Sequence, residues 1–565
     1  MNDKLLWLAV FVGFYWLYCL FWGIKGAKTS KTSEDYFLAG RNIGLWVFVL
    51  AATATSFSGW TFVGHPGKIF TDGLPYAFAS FYALTIPFTG VLFIRRQWIL
   101  GKAYKYITPG EMYSDYYGGN AIRFLTVLVA FLFSVPYLGV QLRASGDLFN
   151  ILTDGLVPVN FGMIALSTVV VIYVASGGLR SVAYVDSAQC ILLAVGICVI
   201  GITTIYFSGG WNNFISAFHE VINKDLVNKN NLTPSGHSSL VAIPGSIQFV
   251  SNGSKSIGGP WTGMMCLTYM FALMGIQASP AFSMWAFSNK NSSAFRWQQV
   301  VASSLIIGII LFTFTIIQGI GGHVLVLNDV IQNVNDKNLV PKLINLLSSS
   351  FPWLVGLLAV CALAAMQSTG SGYMSTFSAM VIKDIYLKFL NKNASDKNQK
   401  NSGRLIVILI AIIAIFVAAN TTSAIVMLGG LAVAYGFQMY PALLGTCYFK
   451  WFSTRGVVFG LIAGLITVTL TDKTSIWFGL PWGSYPLTIH SAGWGIFVNL
   501  IVTITTSFFI KDDKKRRKIK NKRHEFLSKI SLLPENKKKF VPLAWILTMI
   551  WFLVGFGPFA TIGNS

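Results

Sequence analysis

What most constrains this chain is the recurrence of long apolar runs. A helix needs roughly twenty mostly apolar residues to cross the hydrocarbon core of a bilayer. Runs of that kind fall at residues 5–24, 45–63, 74–93, 124–149, 161–175, 187–207, 262–284, 300–319, 353–382, 405–419, 425–449, 457–470, 492–509 and 541–559. Backbone surrounded by lipid must satisfy its own hydrogen bonds, and a helix does so within one segment. The expected fold class is therefore an all-α polytopic membrane protein with about 14 transmembrane helices. Only 11% of the residues are charged and 54% are apolar, which is about half the charge a soluble domain carries. The lipid bilayer is the expected surrounding.

Lys and Arg outnumber Asp and Glu by 42 to 20, and position decides what that excess means. Thirteen of the cations lie between Lys511 and Lys539, and most others sit in alternate loops: Lys25/Lys28/Lys31/Arg41, Arg95/Arg96/Lys102/Lys105/Arg123, Arg180, Lys290/Arg296, residues 383–404, and Lys450/Arg455. The intervening loops are nearly free of them, with Lys473 beside Asp472. This alternation is the signature of membrane orientation and not a nucleic-acid footprint, so no nucleic-acid partner is expected. It puts both termini outside a plasma membrane, read as a bacterial inner membrane. The basic loop 511–540 reads as topogenic charge that also faces anionic lipid. The first run passes into Thr, Ser and Lys without a small-residue cleavage pattern and reads as a retained span. All six cysteines lie inside apolar runs, without metal-ligand spacing, and read as small buried hydrophobes. The outer insertions 208–260 and 323–352 read as spacers with short helix, or as lids.

Two spans contain residues that a lipid-facing helix does not need. Ala54-Thr-Ser-Phe-Ser-Gly-Trp60 puts hydroxyls and a glycine at mid-depth in the second span, and Gly275-Ile-Gln-Ala-Ser-Pro280 does the same in the seventh. Unwound backbone is tolerated there only where protein or a watery cavity satisfies it. Paired interruptions in corresponding helices of two halves point to a transporter binding site. Small residues also permit plain close packing of helices, the competing account. The layout divides the chain into a leading helix and loop (1–44), a first repeat (45–207), an outer loop (208–261), a second repeat (262–449) and accessory helices (450–565).

The ninth span holds Ala365, Ser368 and Thr369 at i, i+3 and i+4, one helix face. Hydroxyls and a backbone carbonyl are hard, neutral ligands that suit sodium, whereas a divalent ion demands carboxylates. The carbonyl of Ala365 is expected to be freed by a disturbance of the helix near Thr369. Asp186 stands close to the membrane, either as a functional intramembrane acid or as a helix cap. Arg143 lies just past Gln141 in span four and has two readings: a partner for an anionic solute, or for Asp147 one turn along.

Together these stretches resemble the sodium/solute symporter family, which includes bacterial proline, sialic acid and galactose symporters. The matching residues are Asp35-Tyr-Phe-Leu-Ala-Gly-Arg41, Ser58-Gly-Trp60, Thr108-Pro109, Pro136-Tyr-Leu-Gly-Val-Gln141, the stretch 177–189, and Ala365/Ser368/Thr369. The resemblance implies a LeuT-like core of two inverted five-helix repeats, with one helix before it and three after. It implies a sodium site from the carbonyls of Ala54, Phe57 and Ala365 and the hydroxyls of Ser368 and Thr369. A second ion or proton would use Asp186 and Ser371. The solute would lie against Ser56, Ser58, Trp60, Gln141, Arg143, Gln277 and Ser279. Proline symporters carry Asp at the position of Ser56, and Trp and Tyr where Ala272 and Ile276 align, so proline is not the expected solute. Gly372 replaces a serine of the two-sodium members, which points to one sodium per solute.

The function expected is sodium-coupled import of a small organic solute, an amino acid or small carboxylate, by alternating access. Alternatives are a proton-coupled carrier, a sugar-type symporter and a non-transporting membrane sensor of the same fold. No channel filter motif is present, and no nucleophile, base and orienter can be placed together, so no enzyme activity is expected.

Overall fold

A computed structural model describes residues 3–79, 82–250, 256–420, 425–472 and 485–531, together with Ile546. Among them there is no β-strand, only two isolated bridges. The helices follow the apolar runs. The first is α1 (Asp3–Thr29), and Leu45–Ser56 (α2) and His65–Asp72 (α3) are the two limbs of a broken span. Next come α4 (Tyr82–Tyr104), α5 (Pro109–Tyr117), α6 (Ala121–Leu152) and α7 (Val159–Phe207). A second broken span is formed by α8 (Gly263–Leu273) and α9 (Pro280–Ser288), followed by α10 (Ala294–Leu327) and α11 (Pro352–Met380). The chain continues through α12 (Asp396–Asn420), α13 (Ile425–Phe437), α14 (Tyr440–Cys447), α15 (Thr454–Thr471), α16 (Ser491–Phe509) and α17 (Lys514–Ser531).

Nine of the described helices are long and apolar enough to cross a membrane, or eleven when each bent pair counts as one span. Fourteen were expected from the apolar runs, and three differences account for the gap. Runs 161–175 and 187–207 are the two helical limbs of α7, which spans 49 residues and is parted by a kink at Gly178, where the backbone is not helical. The run 74–93 is divided between a short helix, Leu74–Ala79, and α4, whose C-terminal half carries Arg95, Arg96 and Lys102. The run 541–559 lies outside the described residues except for Ile546, as do Lys473 and residues 532–540 of the basic loop.

Gly178 has φ 61 and ψ −154, a conformation essentially reserved for glycine, and a Cβ there would sit 2.2 Å from the Tyr36 carbonyl oxygen. The bend lets the short helix Ser33–Leu38 tuck beneath α7. Around α11 the molecule is packed on all sides: 89% of the most apolar window of that span is buried. It therefore faces protein, where hydroxyl residues are tolerated. The accessory pair α15–α16 packs through Gly456, Gly460 and Gly464; a Cβ on Gly460 would lie 2.0 Å from Thr503 Oγ1. That spacing is the small-xxx-small device by which membrane helices approach closely.

Both insertions, 208–260 and 323–352, contain short helix, Trp211–Asn228 and Leu339–Asn345. They also lie over α3 and the turn that follows it. Leu74 donates its N–H to the Leu240 carbonyl at 2.8 Å, and Trp261 Nε1 donates to Asp72. The Asp336 carbonyl occupies the place a Cβ on Gly67 would need. All six cysteines are free; five are buried and Cys198 is partly so.

Candidate functional site

The site begins where two helices stop. α2 ends at Ser56, Phe57 is extended with φ −115 and ψ 113, and a π-turn at Trp60–Gly64 restarts the chain as α3, bent 53° from the first limb. In the other span, the segment Gly263–Ala278 gives way at Ser279, with ψ 154, to α9 at an angle of 43°. Both interruptions expected from the sequence are present. Ser58, Gly59 and Pro280 are why: a serine competes for backbone hydrogen bonds, and proline supplies none.

Side chains from other helices reoccupy the freed backbone. Gly59 donates its N–H to Gln141 Oε1 on α6 at 2.8 Å, and Gln141 in turn donates to the Tyr137 carbonyl at 3.0 Å. Trp60 donates its N–H to Ser58 Oγ at 3.1 Å, and that hydroxyl also meets Tyr137 OH at 3.4 Å. In the second break, Ser279 Oγ donates to the Ile276 carbonyl at 2.7 Å. The breaks are joined directly, since Gln277 Nε2 donates to Ser56 Oγ at 3.3 Å. From there an amide chain runs inward: Gln299 donates to Gln277 Oε1 at 3.2 Å and to Gln298, which donates to Ser303 Oγ at 3.0 Å and Thr53 Oγ1 at 3.4 Å. Every one of these side chains is buried, and the chain carries no charge.

The hydroxyl face of α11 meets the end of α2. Ser368 Oγ donates to the Ala54 carbonyl at 3.1 Å and to the Ala365 carbonyl at 3.2 Å, and Thr369 Oγ1 donates to the Thr55 carbonyl at 3.4 Å. Residues 314 positions apart in the chain are thereby brought into one cluster of neutral oxygens. One expectation changes. The helix is not disturbed at Thr369: α11 runs unbroken from Pro352 to Met380, and the Ala365 carbonyl is reached by a hydroxyl one turn on within regular helix. Phe57 donates its N–H to the Thr53 carbonyl at 3.2 Å.

Beside this cluster, Ser371 Oγ donates to Asp186 Oδ1 at 3.1 Å and to the Ser368 carbonyl at 2.9 Å. Asp186 is fully buried, and its Oδ2 has no hydrogen-bond partner among the described residues. It lies within α7 beyond the Gly178 bend, so it is not a helix cap. Tyr15 of the leading helix closes the far wall, donating to Gln367 Oε1 at 2.6 Å and accepting from Gln189 Nε2 at 2.6 Å. Arg143 pairs with Asp147 one turn away at 3.3 Å, so its charge is already balanced. Thr55 and Tyr137 fall in stretches marked in the sequence but were given no role there; Gln298, Gln299 and Tyr15 were not singled out, and apart from a hydroxyl or amide in an apolar run, nothing marked them.

Two interrupted helices whose buried polar breaks are bonded to each other and to an intact hydroxyl-bearing helix define a membrane carrier of the broken-helix class. The family model for the sodium:solute symporter family matches residues 36–464. The chain belongs to the sodium:solute symporter family and is a multi-pass, sodium-coupled symporter of small organic solutes. Similar proteins include the osmoregulated proline transporter OpuE of Bacillus subtilis strain 168, 25% identical over 83% of this chain and 89% of that one. The sodium/proline symporter of Escherichia coli K12 is 24% identical over 81% of this chain and 86% of that one. Among solved structures, a sodium-coupled sialic acid symporter in a substrate-bound outward-open state superposes with a TM-score of 0.68 at 19% identity, covering 90% of this chain and 98% of that chain. At that identity the likeness concerns the fold. The family and these relatives are transporters, and sodium is the coupling ion that the family name states.

Proposed function

We propose that sodium binds between the end of α2 and the face of α11, on the carbonyls of Ala54, Phe57 and Ala365 and the hydroxyls of Ser368 and Thr369. The observation that carries this is the pair of contacts from Ser368 to Ala54 and from Thr369 to Thr55 at the very point where α2 stops. A hydroxyl that turns its proton aside offers a lone pair to an ion sharing those carbonyls. The carbonyl end of a helix is also its negative pole. The Thr55 carbonyl joins the set on the same grounds. Asp186 with Ser371 is the second ion or proton position; Gly372 lacks a hydroxyl there, and one sodium per solute is the reading it supports.

The solute lies in the cleft bounded by Ser56, Ser58, Trp60, Gln141, Gln277 and Ser279, and an amino acid or small carboxylate is its class. The pairing of Arg143 with Asp147 removes that arginine as the main argument for an anionic solute. Neutral amide and hydroxyl donors, with sodium one turn away, take over the task of meeting a carboxylate. Ser56, where proline symporters of the family carry an acid, sits bonded to Gln277, so the solute differs from proline. The two repeats are 45–207 and 262–449, arranged as an inverted five-plus-five core in a bacterial inner membrane with both termini outside. Sodium fixes one orientation of α2 against α11, the solute adds its differential affinity, and both leave after the switch.

The test is uptake into proteoliposomes under sodium, lithium or proton gradients, after a thermal-shift screen of amino acids, short carboxylates and sugars has named the solute. Ser368→Ala combined with Thr369→Ala is expected to abolish sodium stimulation in a protein that still folds. Unchanged sodium stimulation defeats the assignment.

A further inference from the structure

A cavity of about 370 Å³ lies well away from the solute cleft, between the end of α1, the start of α2 and the bend of α7. Lys25 and Arg180 both line it, with Trp22, Asn42, Gly44 and Tyr184. Lys25 has no acidic partner among the described residues; its ammonium group lies over the Trp22 ring, 4.4 Å from the centroid. Arg180 donates to the carbonyls of Thr29 and Ala39 at 3.3 and 3.2 Å and is ion-paired with Asp35 at 3.5 Å, contacts that fix its guanidinium beside the cavity and balance its charge, so Lys25 is the cation left to meet an anion. The start of α2 adds to the same field. Its N-cap, Gly44, has no capping side chain, and a Cβ there would meet nothing within 4 Å. The first-turn N–H groups of a helix point toward that end and favour an anion.

The other wall is apolar and aromatic. Trp22 stacks on Tyr184 with centroids 4.5 Å apart and planes 8° apart, and Ile43 and Val47 complete it. Phe21, Ile24 and Trp46, adjacent in sequence to the lining residues, are all more than half exposed, so the cavity sits where the lipid-facing surface meets the polar loops. A soluble anion gains little from that wall, whereas a lipid satisfies both chemistries, with phosphate at Lys25 and the start of α2 and glycerol and upper acyl chain along the rings. We infer that this cavity holds the phosphate headgroup of an anionic phospholipid of the cytoplasmic leaflet, tying α1 to the inner end of the first broken span. The leaflet rests on the orientation proposed above; the binding does not. A headgroup here occupies the N-terminus of α2, whose C-terminal carbonyls form the proposed sodium site, so lipid and ion sit at the matching poles of one helix.

The purified full chain in phosphatidylcholine nanodiscs is titrated with short-chain phosphatidylglycerol, short-chain phosphatidylcholine and inorganic phosphate, with thermal unfolding as the readout. A saturable rise in Tm is expected with phosphatidylglycerol alone. Lys25 and Asn42 are exposed, so Lys25→Glu with Asn42→Glu should leave Tm in phosphatidylcholine unchanged while weakening apparent phosphatidylglycerol affinity about tenfold or more. Lys25→Ala, milder, serves if the double variant is less stable, and should weaken it severalfold. An unaltered phosphatidylglycerol response in these variants overturns the site. A response to millimolar phosphate equal to that of the lipid overturns the lipid and leaves a soluble anion.

Discussion

Thr55 and Gln298 show how much of this site depends on single polar groups placed where water cannot reach. Gln298 holds three partners at once, Thr53, Ser303 and Gln299, on two helices. A buried donor or acceptor stripped of its partner costs the full desolvation of that group. Gln298→Leu should therefore lower stability by about 1–3 kcal/mol, the range for orphaned buried polar groups, seen as an earlier midpoint in thermal or denaturant unfolding in detergent. A wild-type midpoint would mean that the amide chain is slack. Hydroxyl-bearing Ser368 and Thr369 were legible in the sequence because one helix face carries both. The partners were not: an amide on α10 facing a threonine on α2 leaves no spacing pattern, because the chain between them runs through the whole first repeat. Arg143 illustrates the reverse, where the local i,i+4 rule alone named the partner it has.

At the scale of helices, the breaks were legible. Ser-Gly and Ser-Pro inside apolar runs announce interruption, and the stretch around Gly177 and Gly178, which reads as a loop between two spans, is a kink at one φ-positive, non-helical glycine. Arg180 and Ser181 fix that kink by donating to carbonyls of neighbouring segments, Thr29, Ala39 and Trp22. Gly178→Ala combines a disallowed conformation with a Cβ 2.2 Å from the Tyr36 carbonyl oxygen. It should cost about 1–3 kcal/mol and show as a lower Tm with poor recovery of folded protein. The basic helix α17 offers a pH-dependent counterpart. His524 Nε2 lies 2.7 Å from Tyr116 OH and 3.2 Å from the Gly445 carbonyl oxygen. Burial there, helped by Arg96, Lys450 and Lys520 against the pull of Gly445, lowers its pKa from 6.5 to about 4. A depressed histidine is neutral when docked, so an undocked α17 takes up the proton first. Docking is thus complete above about pH 6.5 and weakens as pH falls toward about 4. Hydrogen exchange across α17, corrected for intrinsic rates, should rise over that interval, and His524→Gln should flatten it; equal profiles would remove histidine from the account.

For the molecule as a whole, alternating loop charge and recurrent apolar runs made the membrane architecture plain, while the count of spans depends on how kinked and bent pairs are reckoned and on one run that lies outside the described residues. The proposed ion site ties these scales together, since its oxygens come from α2 and α11 and exist as a cluster only in the folded chain. Unfolding scatters them, so sodium must stabilise the native state by mass action. At a concentration of 100 times Kd the gain is about 2.7 kcal/mol. Sodium chloride should accordingly raise Tm above its value in potassium chloride at the same ionic strength, a pairing that cancels screening of the surface charges. Ser368→Ala with Thr369→Ala should erase the difference between the two salts, and should also lower the Tm in potassium, because the Ala54 and Thr55 carbonyls at the end of α2 lose the hydroxyls that meet them. Equal melting of the unaltered protein in sodium and potassium, both at high concentration, would mean that α2 and α11 meet for packing alone and that the coupling ion is held elsewhere.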